Sequence, residues 1–362
     1  MELPLINQKD HILYPHYALK LNIIETNSNL NEWVLQHFGN CYVLYPCDSV
    51  YVFYVDYTED LYHFADNLFH RYIFPYTAFS YRDFVKWVKE YINSGYYSYI
   101  YLSDGVMNND DRKTVHPYLI YGYDDDNQCF SVCGMSKSGV PVNSSIAYNV
   151  VYQAFTKENC NMIEQNGTQS IKRIEFLKLK DFTGGYIFQI PKFIKVVRDY
   201  LNSTLDFENL YSCQGCVPPA YAGLETTKIA RIAIENEEIQ IVPFYGIVEH
   251  KRGLLTRLRF VANIFHNSFL DKLIEDYHGV VQLYNIIENM LLKCSINSSL
   301  SKNKSEINKK LEQAVTLEEN LLGDIYELIS KLYECGQCLA KPYYSKDTLQ
   351  NAFFFSNSGL YL

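Results

Sequence analysis

The chain has 362 residues, 48% of them hydrophobic and 20% charged, with a formal net charge of -9. That composition excludes intrinsic disorder and leaves room for two apolar cores, while the negative balance excludes nucleic acid as the main partner, because phosphate contacts need clustered Lys and Arg. No run reaches the roughly 18 apolar residues that would span a bilayer, and Met1-Glu2-Leu3-Pro4-Leu5 lacks the basic start and apolar core of a signal peptide. A cytoplasmic protein with its ten cysteines reduced is the expectation, with no membrane partner.

Taken in chain order, the first helix is expected across Tyr14-Pro15-His16-Tyr17-Ala18-Leu19-Lys20-Leu21. From Ser28 to Phe38 a polar start leads into Trp33, Val34 and Leu35, a short helix that Gly39 should end. Cys41 to Tyr45 and Val50 to Val55 read as strands, rich in Tyr, Val and Phe. Tyr81 to Asn93 places Phe84, Trp87, Val88 and Tyr91 on one face opposite charges, an amphipathic helix closed by Gly95. A strand from Tyr96 to Leu102 and a turn at Asn108-Asn109-Asp110-Asp111 follow. Tyr148 to Phe155 reads as a helix and Ile171 to Leu179 as a strand.

Near Gly184-Gly185 the pattern changes to helices: Pro191 to Leu201, Val280 to Lys293 and Glu306 to Leu332, with loops expected from Asn202 to Pro219 and from Ser295 to Ser305. The stripe Leu311, Val315, Leu322, Ile325, Ile329 and Leu332 has the spacing of a helix-bundle core. The fold class expected is therefore α+β: an N-terminal domain with an antiparallel sheet over 1–185, then a mostly helical domain over 186–362.

The stretch richest in chemistry is His116-Pro117-Tyr118-Leu119-Ile120-Tyr121-Gly122-Tyr123-Asp124-Asp125, followed by Cys129-Phe130-Ser131-Val132-Cys133. An acidic turn between two apolar runs makes this an antiparallel hairpin. A histidine opening the first arm holds its imidazole at the sheet edge, where a thiol enzyme keeps its general base.

This hairpin resembles that of papain-like bacterial proteins similar to the N-terminal domain of butirosin biosynthesis protein H. The likeness extends to His16 with Ala18-Leu19, to Gly95-Tyr96-Tyr97 and to Val248-Glu249-His250-Lys251-Arg252. The resemblance implies a papain-like fold for the N-terminal domain. It also implies acyl transfer from an acyl or peptidyl carrier-protein thioester to a small-molecule amine, in antibiotic or nonribosomal-peptide biosynthesis, with no cofactor. In that family a Cys follows the His at the start of the first helix, where the helix N-terminus favours thiolate. Here Tyr17 stands at that position. An Asp or Asn usually closes the second arm of the hairpin and orients the His, whereas this chain has Cys133-Gly134-Met135.

Two readings follow from these departures. In the first, His116 is the base of an acyltransferase whose nucleophile is the substrate amine or a displaced cysteine. Cys41 and Cys47 are the cysteines of the early α/β region, though both also suit small apolar positions in strands. In the second, the fold is a catalytically degenerate scaffold or carrier-binding module, its cleft filled by Tyr17 and its neighbours. His16, Tyr17 and Tyr118 are the candidates for lining the cleft. Helical spacing also groups Arg252, Thr256 and Arg259 as a basic face for a carrier's acidic helix or a phosphopantetheine phosphate, the bland alternative being a solvated face paired with acids. The pairs Cys213/Cys216 and Cys335/Cys338 have zinc-knuckle spacing, but four reduced cysteines with no metal are the expectation. Nucleotide-loop, zinc-protease, EF-hand and Gly-x-Ser-x-Gly signatures are absent from the sequence.

Overall fold

A computed structural model describes residues 1–6, 15–44, 54–57, 64–75, 80–112, 114–135, 141–156, 173–204, 220–239 and 241–336. The architecture is α+β, with an antiparallel sheet in the first half and a helical second half. Helix α1 (Pro15–Ile24) and short α2 (Asn31–Gln36) lead into β1 (Cys41–Leu44) and β2 (Tyr54–Tyr57). Strand β3 (Phe69–Pro75), α3 (Tyr81–Asn93), β4 (Tyr97–Ser103) and the five-residue α4 (Asp104–Asn108) precede the hairpin of β5 (Val115–Asp124) and β6 (Cys129–Met135). Then come β7 (Pro141–Ala147), α5 (Tyr148–Phe155), β8 (Arg173–Leu179), α6 (Ile190–Leu201) and β9 (Ala220–Ala222). Four helices complete the described chain: α7 (Glu225–Glu235), α8 (Ile241–Phe265), α9 (Ser268–Asn297) and α10 (Leu300–Glu334).

Six strands pair in the order β3-β8-β4-β5-β6-β7, every neighbour antiparallel. Strand alternation gives this sheet two apolar faces. Tyr118 and Ile120 of β5 join Ile100, Leu102, Phe130 and Phe176 in a core covered by Phe84, Val88 and Ile92 of α3 and by Val151 and Phe155 of α5. Burying such side chains contributes roughly 1.5–3 kcal/mol each, and the Ser80 hydroxyl caps α3 by accepting from the Asp83 amide. Leu119 and Tyr121 point to the other face, into a larger core that runs from α1 through the helices of the second half.

The smaller sheet, β2-β1-β9, brings residues 220–222 back beside residues 42–44. A further tie is Arg257 of α8, whose guanidinium Nε donates to the His37 carbonyl at the end of α2 at 2.7 Å, supplying one of the carbonyl partners a helix end lacks. Gly39 does not end a helix as expected. The helix stops at Gln36, the left-handed residue is Phe38, and a Cβ at Gly39 would lie 2.4 Å from the Val196 Cγ1 of α6.

The loop expected from Ser295 to Ser305 is likewise mostly helix. α9 continues to Asn297, Ser298 turns the chain at φ 48°, and α10 starts at Leu300. Among the described residues no helix is long and apolar enough to cross a membrane.

Candidate active site

The site is assembled where β4 ends and β5 begins. Antiparallel register sets Leu102 opposite His116 and Ser103 opposite Val115. The chain leaves β4 directly into α4, so Asp104 stands beside the start of β5. Its backbone amide donates to the Thr114 carbonyl at 2.9 Å, and the Asn108 side chain donates to its carbonyl at 2.9 Å. The intervening turn is drawn in tightly, since a Cβ on Gly105 would meet the Arg112 and Asp110 carbonyl oxygens at 2.3 and 2.7 Å.

The Asp104 carboxylate lies 2.5 Å, through Oδ2, from Nδ1 of His116. The Thr114 hydroxyl donates to the same oxygen, and the Tyr118 hydroxyl donates to Oδ1 at 2.8 Å. The carboxylate side chain is 5% exposed, the imidazole 45%. Burial pushes the Asp104 carboxyl up, but the hydrogen bonds from His116 and Thr114, the His116 charge and the Tyr118 hydroxyl outweigh it and hold the group below the usual carboxylate range. An ionised carboxylate only accepts, so Nδ1 of His116 must donate, and a neutral ring is left with its lone pair on Nε2. A partly exposed imidazole backed by a buried carboxylate is the arrangement of a general base.

His16, at the N-terminal end of α1, comes to the same region. Its ring lies 5.8 Å from that of Tyr101, the neighbour of Leu102. Burial, then the neighbouring charges of His116 and Lys20, push its pKa down from 6.5 to about 3, so the ring is neutral. Behind it Lys20 is buried, bonded to the Phe64 carbonyl and Asp66 at 2.9 and 3.0 Å, and Arg71 joins Asp66 to Glu175.

Of the other predicted residues Tyr118 belongs to the site and the rest are dispersed. Tyr17 is core, its ring edge-on to Phe38 at 5.3 Å and to Phe64 at 5.1 Å. Tyr118 is buried and bonded to Asp104. Cys41 is buried on β1 of the smaller sheet. Cys47 lies outside the described residues, as do Cys213, Cys216 and Cys338, while Cys335 is exposed after α10. Among the described residues no sulfur is hydrogen-bonded to His116, and no group of three or more metal-ligating side chains occurs.

Arg252 and Arg259 sit on the outer side of α8, with Leu254, Leu255 and Leu258 buried as the spacing predicts. Arg252 is bound to Asn285 at 2.6 Å and to Glu288 at 2.7 Å, and Arg259 lies 3.9 Å from Glu275.

Sequence reasoning sought the orienting acid on the second arm of the hairpin and missed Asp104. The linear signal for it is an Asp two residues past the predicted strand Tyr96 to Leu102, whose pairing with the histidine's strand only the structure shows. No protein-family model matches the chain, and no curated protein matches it.

Proposed function

We propose that this chain is a papain-like member of the butirosin biosynthesis protein H N-terminal-like group, acting in peptide or antibiotic natural-product assembly. In this reading it transfers an acyl group from a carrier-protein thioester to an amine. The observation that carries the reading is the His116–Asp104 pair. Burying a carboxylate is costly unless donors surround it, and here three donors hold it in place behind a ring that is open to solvent on its other side.

With no thiol bonded to that ring among the described residues, the reading assigns the nucleophile to the substrate amine. The amine nitrogen attacks the thioester carbon, the C–N bond forms and the C–S bond breaks. Nε2 of His116 removes the proton from nitrogen and returns it to the departing carrier thiolate. His16 and Tyr118 border the base, and no cofactor enters the balance. The second reading, a scaffold that binds carriers without turnover, draws on Tyr17 being packed as core at the position where the family has its cysteine.

The test supplies an acetylated carrier protein or acetyl-pantetheine with hydroxylamine, and follows the acylated product by mass spectrometry. Wild type should turn over, and His116→Ala should lose about 10²–10⁴-fold, the usual contribution of a positioned base. Equal rates in the two proteins would remove His116 from the chemistry. Carrier binding without product in wild type would favour the scaffold.

A further inference from the structure

The second arm of the hairpin carries a glycine where its neighbours carry side chains, and the structure gives that glycine a purpose. Gly134 on β6 lies beneath the ring of Tyr118 on β5. A Cβ there would sit 2.2 Å from Cδ1 and 2.3 Å from Cε1 of that ring, closer than carbon atoms ever approach. The bare backbone therefore lets the ring settle onto the β6 strand, and from there its hydroxyl donates to Oδ1 of Asp104. On the opposite side Thr114, at the mouth of β5, supplies the second hydroxyl, to Oδ2. The two donors take one oxygen each. The carboxylate cannot rotate about its Cβ–Cγ bond without breaking one of them.

We propose that Thr114, Tyr118 and Gly134 are positioning residues that lock the Asp104 carboxylate, and through it fix His116 in the single tautomer that carries its proton on Nδ1. This rests on the reading of His116 as a base, but the lock itself makes a claim that does not depend on activity. A carboxylate free to swing would present either oxygen, or neither, to the ring, and both imidazole tautomers would be populated. A carboxylate pinned at both oxygens presents Oδ2 continuously, so Nε2 is permanently the proton-accepting atom. Burial drives the Tyr118 phenol well above its ordinary range, aided by the adjacent Asp104 charge, so the hydroxyl keeps its proton and stays a donor.

The experiment is nitrogen NMR on the full chain labelled with ¹⁵N-histidine, in which the two ring nitrogens report separately whether each carries a proton. Wild type should show His116 protonated on Nδ1 and bare on Nε2 in its neutral form. Thr114→Val combined with Tyr118→Phe, which keeps both shapes and deletes both hydroxyls, should introduce the second tautomer. The same protein should lower kcat for acetyl-pantetheine with hydroxylamine by roughly five- to tenfold per hydroxyl, with KM little changed. Thr114→Ser, which restores a hydroxyl, should recover its share, and Gly134→Ala should behave like Tyr118→Phe by displacing the ring. Should the double variant fail to fold, each single variant reads the same signal. Mixed tautomers in wild type, or one unchanged tautomer after both hydroxyls are gone, would overturn the lock. Ordered tautomers in wild type that become mixed in the double variant, without any acyl transfer, would uphold the lock while sinking the functional reading.

Discussion

Asp104 is the residue on which the site turns, and its substitution makes the sharpest prediction. Asp104→Asn keeps the shape but replaces an acceptor with an amide whose NH₂ can face the ring, favouring the opposite tautomer. In the acyl transfer proposed for this site, single-turnover product formation should fall about 10²–10⁴-fold, with the protein still folded by circular dichroism. A loss under threefold would show that the imidazole needs no orienting acid.

The same neighbourhood sets an acid limit on stability. His16 binds a proton near pH 6.5 when unfolded but only near about 3 when folded, so the folded chain holds fewer protons between those values. Stability should therefore decline as pH drops from 6.5 toward about 3, by about 1.4 kcal/mol per pH unit for this one group. Asp104 adds a loss at lower pH. Its folded value is depressed, so its contribution is present above the ordinary carboxylate range and disappears as pH falls through the folded value. Urea midpoints measured from pH 7 to 4 should show a shallower slope in His16→Asn than in wild type. Parallel slopes would mean that His16 takes up its proton in the folded state.

His116 could be picked out in the sequence because its hairpin is a local pattern, complete within about twenty residues. Asp104 could not. Its meeting with His116 is created by the cross-strand register of β4 and β5 and by a helix of five residues that reads as nothing more than the approach to a turn.

Among the elements, those with a strong internal period were visible. α3 occupies the residues its amphipathic spacing predicts, α5 matches its predicted span, and the stripe from Leu311 to Leu332 lies buried along α10. β7 was missed because Pro-Val-Asn-Ser-Ser-Ile-Ala has little strand character of its own, and backbone pairing with β6 makes it an edge strand. β3 was missed as well, although it pairs with β8 along all seven of its residues. α7, with its Thr-Thr start, takes its shape from packing against α10 and β9.

Where elements touch most closely, glycine is required, and Gly223 is the clearest case. It has φ +54°, and a Cβ there would lie 2.0 Å from the Tyr200 carbonyl oxygen at the end of α6. Gly223→Ala should lower stability by about 2 kcal/mol or more, since the left-handed backbone alone costs a Cβ residue about 1–2 kcal/mol. An unchanged thermal midpoint would show that β9 and α6 can part without penalty.

The molecule as a whole is organised around charge in its interior. Lys251 of α8 and Glu318 of α10 are fully buried, 3.0 Å apart. The hydroxyls of Tyr200, Tyr277 and Tyr284 donate to the Glu318 carboxylate at 2.9, 3.2 and 2.6 Å, so α6, α8, α9 and α10 share one polar knot. Burial first, and then the Glu318 charge, raise these phenols well above their ordinary range, which keeps all three as donors. Composition gave no hint of this knot. Glu249, His250 and Lys251, which precede the partly exposed Arg252 in the sequence, are all buried.

Removing one partner leaves an unpaired charge in a dry interior, so Lys251→Met should cost about 3–5 kcal/mol. Adding Glu318→Gln to it should recover part of that loss. Additive effects in chemical denaturation would show that the two charges do not depend on each other.

The turn at Gly184-Gly185, where the sequence changes from mixed to helical, is laced to the start of the chain. The Tyr186 amide donates to the Asn29 carbonyl at 2.9 Å, the Phe188 amide to Glu32 at 2.7 Å and the Gln189 amide to Gln36 at 2.6 Å, while the Asn29 side chain donates to the Phe182 carbonyl at 2.8 Å. A peptide bond cut between those two glycines would therefore sever the polymer without dividing the particle. The two fragments should elute together from a sizing column at the mass of the uncut protein, and separate only when urea is added.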